Sequence, residues 1–396
     1  MAGLDSTQSS PPKTAFWRDP KKRALAFQII VLCSVFAFVA YIFNNTLINL
    51  EKRGISTGFG FLQLEAGFGV LMSLIPYNET NSFGRTFVVG LLNTLLVASL
   101  GIVCATLLGF IMGVARLSRN WLIARLATIY IEVFRNLPLL LQILFWYFAI
   151  LPLLPNPRQS FNLGEAIFLN KRGFYIPAPE FEAGMWAVGI ALIIAVAGTL
   201  LLSRWARRRQ DQTGQPFPVF RTGLGLIVGL PLIVFLIMGA PLTWEYPEFK
   251  GFNFHGGVTV IPELIALTLA LSIYTAAFIA EAVRSGILAI NHGQTEAAYA
   301  LGVRPGITLR LIIIPQAMRV IIPQMSSQYL NLTKNSSLAT AIGYPDLVAV
   351  FAGTTLNQTG QAVEIIFITM TVYLTISLSI SLFMNWYNKK MALVER

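Results

Sequence analysis

Asn291 to Pro315 reads NHGQTEAAYALGVRPGITLRLIIIP, a polar interruption between two long apolar runs. Asn291 can cap a helix, with Gln294 three residues on in the manner of a capping box, and Glu296 is expected in the first turn, where the positive end of the helix dipole favours a carboxylate. Gly302 is placed to end that helix in the left-handed conformation, and Pro305, preset in φ, can start another at once. The segment therefore reads helix, glycine elbow, helix. The first helix is about ten residues, roughly 15 Å, with Ala297, Ala298 and Leu301 on one face, where two small side chains allow a partner to approach closely. A solvated connector with ordinary caps is the plainer reading of the same residues.

Working outward, the chain has 396 residues, 55% hydrophobic and only 12% charged, with a mean hydropathy of +0.65, outside the range of soluble domains. Apolar runs long enough to cross about 30 Å of hydrocarbon fall at about 24–44, 86–115, 123–150, 184–203, 220–240, 259–282, 317–342 and 361–386. This predicts an all-α polytopic membrane protein of about eight transmembrane helices. The third run contains Glu132, Arg135 and Pro138, and the seventh contains Pro323 and Lys334. With the N-terminus inside, the cytoplasmic segments hold twenty basic residues, among them Lys21, Lys22, Arg116, Arg204, Arg207, Arg208, Arg209, Arg304, Lys389 and Lys390. The other side holds seven: Lys52, Arg53, Arg85, Arg158, Lys171, Arg172 and Lys250. That bias places both termini and the 290–315 loop in the cytoplasm. The net charge of +11 is then topological, with attraction to anionic membrane lipid, and asks for no nucleic acid.

Residues 1–15, rich in Ser, Thr, Gln and Pro, read as a disordered tail, and the first span as a retained anchor, since no small-x-small site follows it. Segments 45–83 and 151–183 are expected to be ordered external lids or interfacial pieces. Cys33 and Cys104 read as buried small hydrophobes, and His255 and His292 lie on opposite sides, so no metal site is expected. No Lys follows a Gly, and HExxH, CxxC and GxSxG are all missing, so no P-loop or hydrolytic site is expected here.

Glu296-Ala297-Ala298, then Gly302, then Ile312 and Ile314-Pro315 resemble the EAA signature of ABC importer membrane subunits, the loop that docks on the ATPase; Ile314 replaces the usual Leu. Asn93-Thr94, Ala115-Arg116-Leu117-Ser118 and Tyr130 to Leu139 are similar to the amino-terminal half of the polar amino acid permease family, the histidine permease type, and Gln328 to Leu338 to its later half. The similarity covers about 84–150 and 259–390. It implies a type I ABC importer permease core with extra spans, as in general L-amino-acid importers of Gram-negative bacteria. The chain then divides into a basic tail (1–23), an extra first span with an external segment (24–83), the first core half (84–150), a loop with an inserted span pair (151–258) and the second core half (259–390), which carries the coupling loop 290–315. The resemblance further implies an inner-membrane subunit that imports L-amino acids from the periplasm. Its partners would be a second homologous permease, favoured as a heterodimer, two ATP-binding subunits and a periplasmic amino-acid-binding protein. ATP-Mg would sit on the partner ATPase and no cofactor on this chain.

Glu296, Ala297, Ala298, Gly302 and Pro315 are the coupling candidates. For the substrate path, Lys334 is first, because a lysine within a span costs a few kcal/mol unless it meets a polar cavity or counter-charge; Thr333, Asn335, Ser336 and Ser337 surround it. Its alternatives are snorkelling, or pairing with Glu364. Glu132 and Arg135 are spaced to pair with each other, and Asn136 precedes the Leu137-Pro138 break; they stabilise a bend or form a gate. Two rivals stand beside the importer: a stand-alone ion-coupled secondary transporter or channel, and an assembly subunit with no path of its own.

Overall fold

The computed structural model describes residues 20–52, 54 and 57–391. The tail 1–15, and the basic residues Lys13, Arg18, Arg53 and Arg396, lie outside the described residues. Among the described residues seven helices are long and apolar enough to cross a membrane, or eight if one bent pair counts as a span. In chain order the first elements are α1 (Pro20–Lys52), α2 (Phe83–Arg116), α3 (Trp121–Asn136), α4 (Leu139–Leu144), α5 (Met185–Thr213) and α6 (Val219–Ile237). They are followed by α7 (Pro262–Leu288), α8 (His292–Ala300), α9 (Pro305–Thr308), α10 (Ile314–Asn335), α11 (Leu356–Thr359) and α12 (Ala362–Met391).

The core is organised around α7, the span with by far the largest buried share, 67% of its apolar window. The reason is in its side chains: Ala266, Ala270, Ala276, Ala277 and Ala280 are fully buried, and a helix that is small and apolar all round can be surrounded closely. Its main partner is α2. A Cβ at Gly109 would lie 2.6 Å from Cβ of Ile279, and one at Gly113 would lie 2.7 Å from the Ala280 carbonyl oxygen, so this glycine pair sets how near the two helices run. The similar Gly225 and Gly229 pair meets nothing within 4 Å; in that hairpin the close approach is at Gly223, against Thr199. Helices α5 and α6 pack chiefly on each other, and the apolar window of α1 has no buried residue.

The third apolar run is not straight. Residues 121–136 and 139–153 meet at 107°, broken at Leu137-Pro138, where proline disfavours helix in the residue before it. The seventh continues smoothly instead: Pro305–Ile342 forms one rod through α9 and α10, so Pro315, Pro323 and Lys334 do not interrupt it. Cys33 and Cys104 are exposed on apolar helix surfaces rather than buried: α1 has no buried face, and Cys104 lies off the side of α2 that meets α7.

The chain is helical in class, with a small β layer that hydropathy does not reveal. Strands β1 (Phe161–Leu163), β2 (Ile167–Asn170), β3 (Gly173–Ile176) and β8 (Val258–Val260) form an antiparallel sheet in that order. Strands β4 (Ala178–Phe181) and β5 (Leu242–Glu245) make one ribbon, β6 (Glu248–Lys250) and β7 (Asn253–His255) another. Segment 151–183 is ordered, and it pairs with 242–260 across the inserted hairpin. Phe254 gathers Phe168 (4.4 Å), Tyr175 (4.9 Å) and Phe249 (5.3 Å) beneath it. The strands cap the start of α7 and fix one end of the bundle, and α8 marks the other.

Candidate functional site: the elbow and the polar seams

At the elbow end, Asn291 Oδ1 accepts from Gly293 N–H at 2.9 Å, but Gln294 makes no return bond among the described residues, so a simple Asn cap replaces the expected box. The helix begins at His292, which puts Glu296 in the second turn, not the first; its carboxylate meets His292 Nδ1 at 3.1 Å. The exit is a complete Schellman turn. Gly302 sits at φ +71°, its N–H donates to the Tyr299 carbonyl (2.9 Å), and the Val303 N–H donates to the Ala298 carbonyl (3.0 Å). Arg304 is extended and α9 starts at Pro305.

The expected common face splits in two. Ala298 is buried, on a helix that packs on both α9 and the π-turn at Leu309–Ile313, while Ala297 points outward and Leu301 is 82% exposed. With Tyr299 and Leu311 also exposed, the elbow presents an apolar surface that none of the described residues covers. Pro315 occupies the start of α10, within the rod.

Beside the elbow end is an ion cluster centred on Arg116, at the end of α2. Its Nη1 donates to Glu281 Oε2 of α7 at 2.6 Å and its Nη2 to Glu132 Oε1 of α3 at 3.4 Å. Arg284 Nη2 completes it on Glu281 Oε1 at 2.5 Å. One guanidinium fork thus laces three helices, which a lysine could not do with the same geometry. This replaces the expected Glu132–Arg135 pair: Arg116 takes the Glu132 carboxylate, and the Arg135 guanidinium lies 5.2 Å from the Phe278 ring centre of α7. Asn136 Nδ2 donates to the Glu132 carbonyl (2.7 Å). The carbonyls freed by Pro138 are taken by buried Gln142, whose Nε2 donates to Phe134 (3.1 Å) and Leu137 (3.0 Å). Gln142 was missed by the sequence reading, although it is the lone amide in a run of leucines and aromatics.

The strand end holds a second polar seam. Asn93 Nδ2 donates to the carbonyls of Met72 and Pro345, both at 2.9 Å, Tyr344 OH donates to the Asn93 carbonyl (3.0 Å), and the Leu347 N–H donates to Thr94 Oγ1 (3.0 Å). A Cβ at Gly90 would lie 3.0 Å from Leu347 Cα. Asn93 and Thr94 therefore clamp the 343–347 crossover onto α2. In the same knot Asp346 is fully buried, with Oδ1 accepting from Ala349 N–H at 2.8 Å; burial pushes its carboxyl up to about 7, although backbone N–H groups pull the other way. Asp346 lies between two spans, and its signal was a single carboxylate after Gly343-Tyr344-Pro345.

The residues around Lys334 spend their hydroxyls locally. Thr333 Oγ1 donates to the Tyr329 carbonyl (2.9 Å), Ser336 to Thr333 (2.8 Å) and Ser337 to Lys334 (2.7 Å), satisfying carbonyls at the end of α10. Asn335 is half-buried. Lys334 itself is exposed and has no ion pair among the described residues. Glu364 is not its partner; it accepts from the Gly58 N–H at 2.7 Å.

Residues 215–393 match the family described as binding-protein-dependent transport system inner membrane component. The chain is 54% identical over 378 residues to the general L-amino acid transport system permease protein AapQ of Rhizobium johnstonii, covering 96% of this chain and 94% of that one. It is also 54% identical over 378 residues to the putative amino-acid ABC transporter permease protein YhdX of Escherichia coli, covering 96% of each. A solved amino acid ABC transporter with histidines aligns at 21% identity and a TM-score of 0.46 over 78% of this chain and 95% of that one. Identity sustained along nearly the whole length sets aside the stand-alone transporter or channel. The chain belongs to the binding-protein-dependent inner membrane components, as a multi-pass inner-membrane permease subunit of an ABC importer.

Proposed function

We propose that this subunit carries L-amino acids from periplasm to cytoplasm, with the elbow at 290–315 receiving the stroke of a separate ATPase. The substrate class is supported by the names of the relatives, which include a general L-amino acid permease. The observation that carries the coupling reading is the exposed apolar elbow locked by a Schellman turn and continuous with a rod through Ile342. A push on Ala297, Leu301 and the Gly302 turn is transmitted along that rod, so a small displacement tilts α10 against α7 and α2. In this reading the elbow end and both termini are cytoplasmic, two ATP-binding subunits hold ATP-Mg, and nucleotide chemistry takes place on them. A second homologous permease completes the path, and a periplasmic amino-acid-binding protein docks at the strand end. Lys334 and Arg135 are the path candidates in the two core halves; Thr333, Ser336, Ser337 and Glu132 act by shaping the helix ends and the bend.

The test is ATPase activity of the co-expressed complex in nanodiscs, with and without binding protein loaded with mixed L-amino acids. Stimulation by loaded binding protein that is lost in Glu296→Ala and Leu301→Ser variants is expected; an unstimulated complex, or variants stimulated like wild type, would refute the coupling assignment.

A further inference from the structure

The inserted hairpin ends in a cluster of arginines that takes no part in the elbow or the polar seams. Helix α5 has 29 residues, about 43 Å at 1.5 Å per residue, against about 30 Å of hydrocarbon. Its apolar part, 185–203, covers about 28 Å, so from Arg204 onward it stands in the headgroup region or beyond. Between Arg204 and Arg221 the chain carries five arginines and one acid, Asp211. Arg204, Arg207 and Arg208 are spaced i, i+3, i+4 and are exposed, while Ala206 is 3% exposed and faces inward, so the three share the outer face.

A fourth arginine, Arg221, lies at the same depth on the neighbouring helix. Gly223 of α6 contacts Thr199 of α5. From that level Arg221 lies about 3 Å, and Arg204 about 7.5 Å, toward the elbow end. Both therefore sit within one helical turn of depth. Arg221 occupies the first turn of α6, where the helix dipole repels a cation but attracts an anion. None of Arg204, Arg207, Arg208 and Arg221 has an ion pair among the described residues. The hairpin supplies an aromatic wall beside them: Trp205 packs edge-on to Phe217 at 5.4 Å, and Arg209 lies 5.4 Å over the Trp205 ring, leaving Trp205 half-exposed at headgroup depth.

We propose that this end of the α5–α6 hairpin is a binding site for the phosphodiester headgroup of an anionic phospholipid. Arg204 meets the phosphate at the interface, Arg207 and Arg208 meet it from the polar side, Arg221 adds positive potential at the same depth, and the acyl chains lie along the exposed apolar faces of α5 and α6. A hairpin that packs chiefly on itself is thereby held to the bilayer by its own lipid contact. The assignment of this end to the cytoplasm belongs to the importer reading, but the site stands in whichever leaflet the arginines occupy.

The experiment is native mass spectrometry of the intact complex, released from nanodiscs of equal phosphatidylglycerol and phosphatidylcholine. Wild type is expected to retain phosphatidylglycerol selectively. Arg207→Gln/Arg208→Gln should bind it about thirty-fold more weakly, from about 1 kcal/mol per arginine at an anionic surface. A charge-matched control, Lys52→Gln/Lys171→Gln, should bind like wild type; if the first variant does not assemble, Arg204→Gln/Arg221→Gln takes its place. Equal retention of the two lipids, retention unchanged by either arginine pair, or displacement of the lipid by free inorganic phosphate would overturn the proposal.

Discussion

Gly302 offers a perturbation whose size can be worked out before it is made. The residue sits at φ +71° and a Cβ there meets nothing within 4 Å, so substitution costs backbone strain without a steric term. A side chain in the left-handed region costs about 1–2 kcal/mol, and less for Asn, which bonds its own backbone there. Proline also deletes the N–H that donates to Tyr299 at 2.9 Å and demands a φ near −65°, for about 3 kcal/mol or more. The closed elbow should therefore fall in population by about 5- to 30-fold for Gly302→Ala, less for Gly302→Asn, and be essentially absent for Gly302→Pro. In proteoliposomes with the full complex, uptake per ATP hydrolysed should drop in the order Asn, Ala, Pro. Membrane insertion and the thermal midpoint of the bundle should not move, because the elbow lies outside the packed core. Wild-type coupling in Gly302→Pro would refute the reasoning, and so would a coupling loss that tracks side-chain volume rather than φ.

Other positions test the packing and the seams. Gly113→Ala should lower the stability of the purified subunit by about 1–3 kcal/mol through overpacking against Ala280 and Val283, whereas Gly225→Ala, with open space around it, should be neutral; detergent thermal melts separate the two. Gln142→Leu strands the carbonyls of Phe134 and Leu137 at the bend and should cost about 1–3 kcal/mol in the same melts. Asp346 has a folded-state carboxyl raised from 3.8 to about 7, so its contribution is complete below pH 4 and is lost as pH rises through 7. From pH 5 to pH 8 it should remove about 2.5 kcal/mol of stability, and Asp346→Asn should flatten that dependence in pH-resolved melts.

Spans were legible in the sequence because hydropathy registers burial in lipid directly, and the elbow because caps and Gly302 act within a few residues. Distances through space were not. Spacing alone paired Glu132 with Arg135, but Arg135 lies over Phe278 of the neighbouring α7, and Arg116, sixteen residues before Glu132 in the chain, takes the carboxylate. The two GxxxG patterns are equal as text; Gly109 and Gly113 are buried only because the alanines of α7 stand opposite. The β layer escaped notice because its strands have three or four residues each and close across a whole inserted hairpin. Gln142 and Asp346 share that obscurity: each is one polar residue whose role depends on carbonyls or a crossover brought to it by the fold.

What is left unspent is the most informative remainder. Glu281 and Glu132 are engaged by Arg116 and Arg284, Glu263 accepts from Tyr147 at 2.7 Å, and Glu364 accepts from Gly58. The neighbouring hydroxyls at 333, 336 and 337 are turned to the backbone. Among the described residues two cations of α10 have no carboxylate partner: Arg319, at the edge of the apolar run 317–342, and Lys334, well within it, at an insertion cost of about 2.5–3.5 kcal/mol at full depth. A structural lysine with that cost would be improved by its uncharged isostere. A lysine that meets the carboxylate of a passing amino acid would not: Lys334→Met should raise the thermal midpoint of the complex while lowering uptake at least ten-fold and leaving basal ATPase intact. Opposite signs for stability and uptake distinguish a functional charge from a tolerated one, and Lys334→Met with unchanged uptake would remove Lys334 from the path.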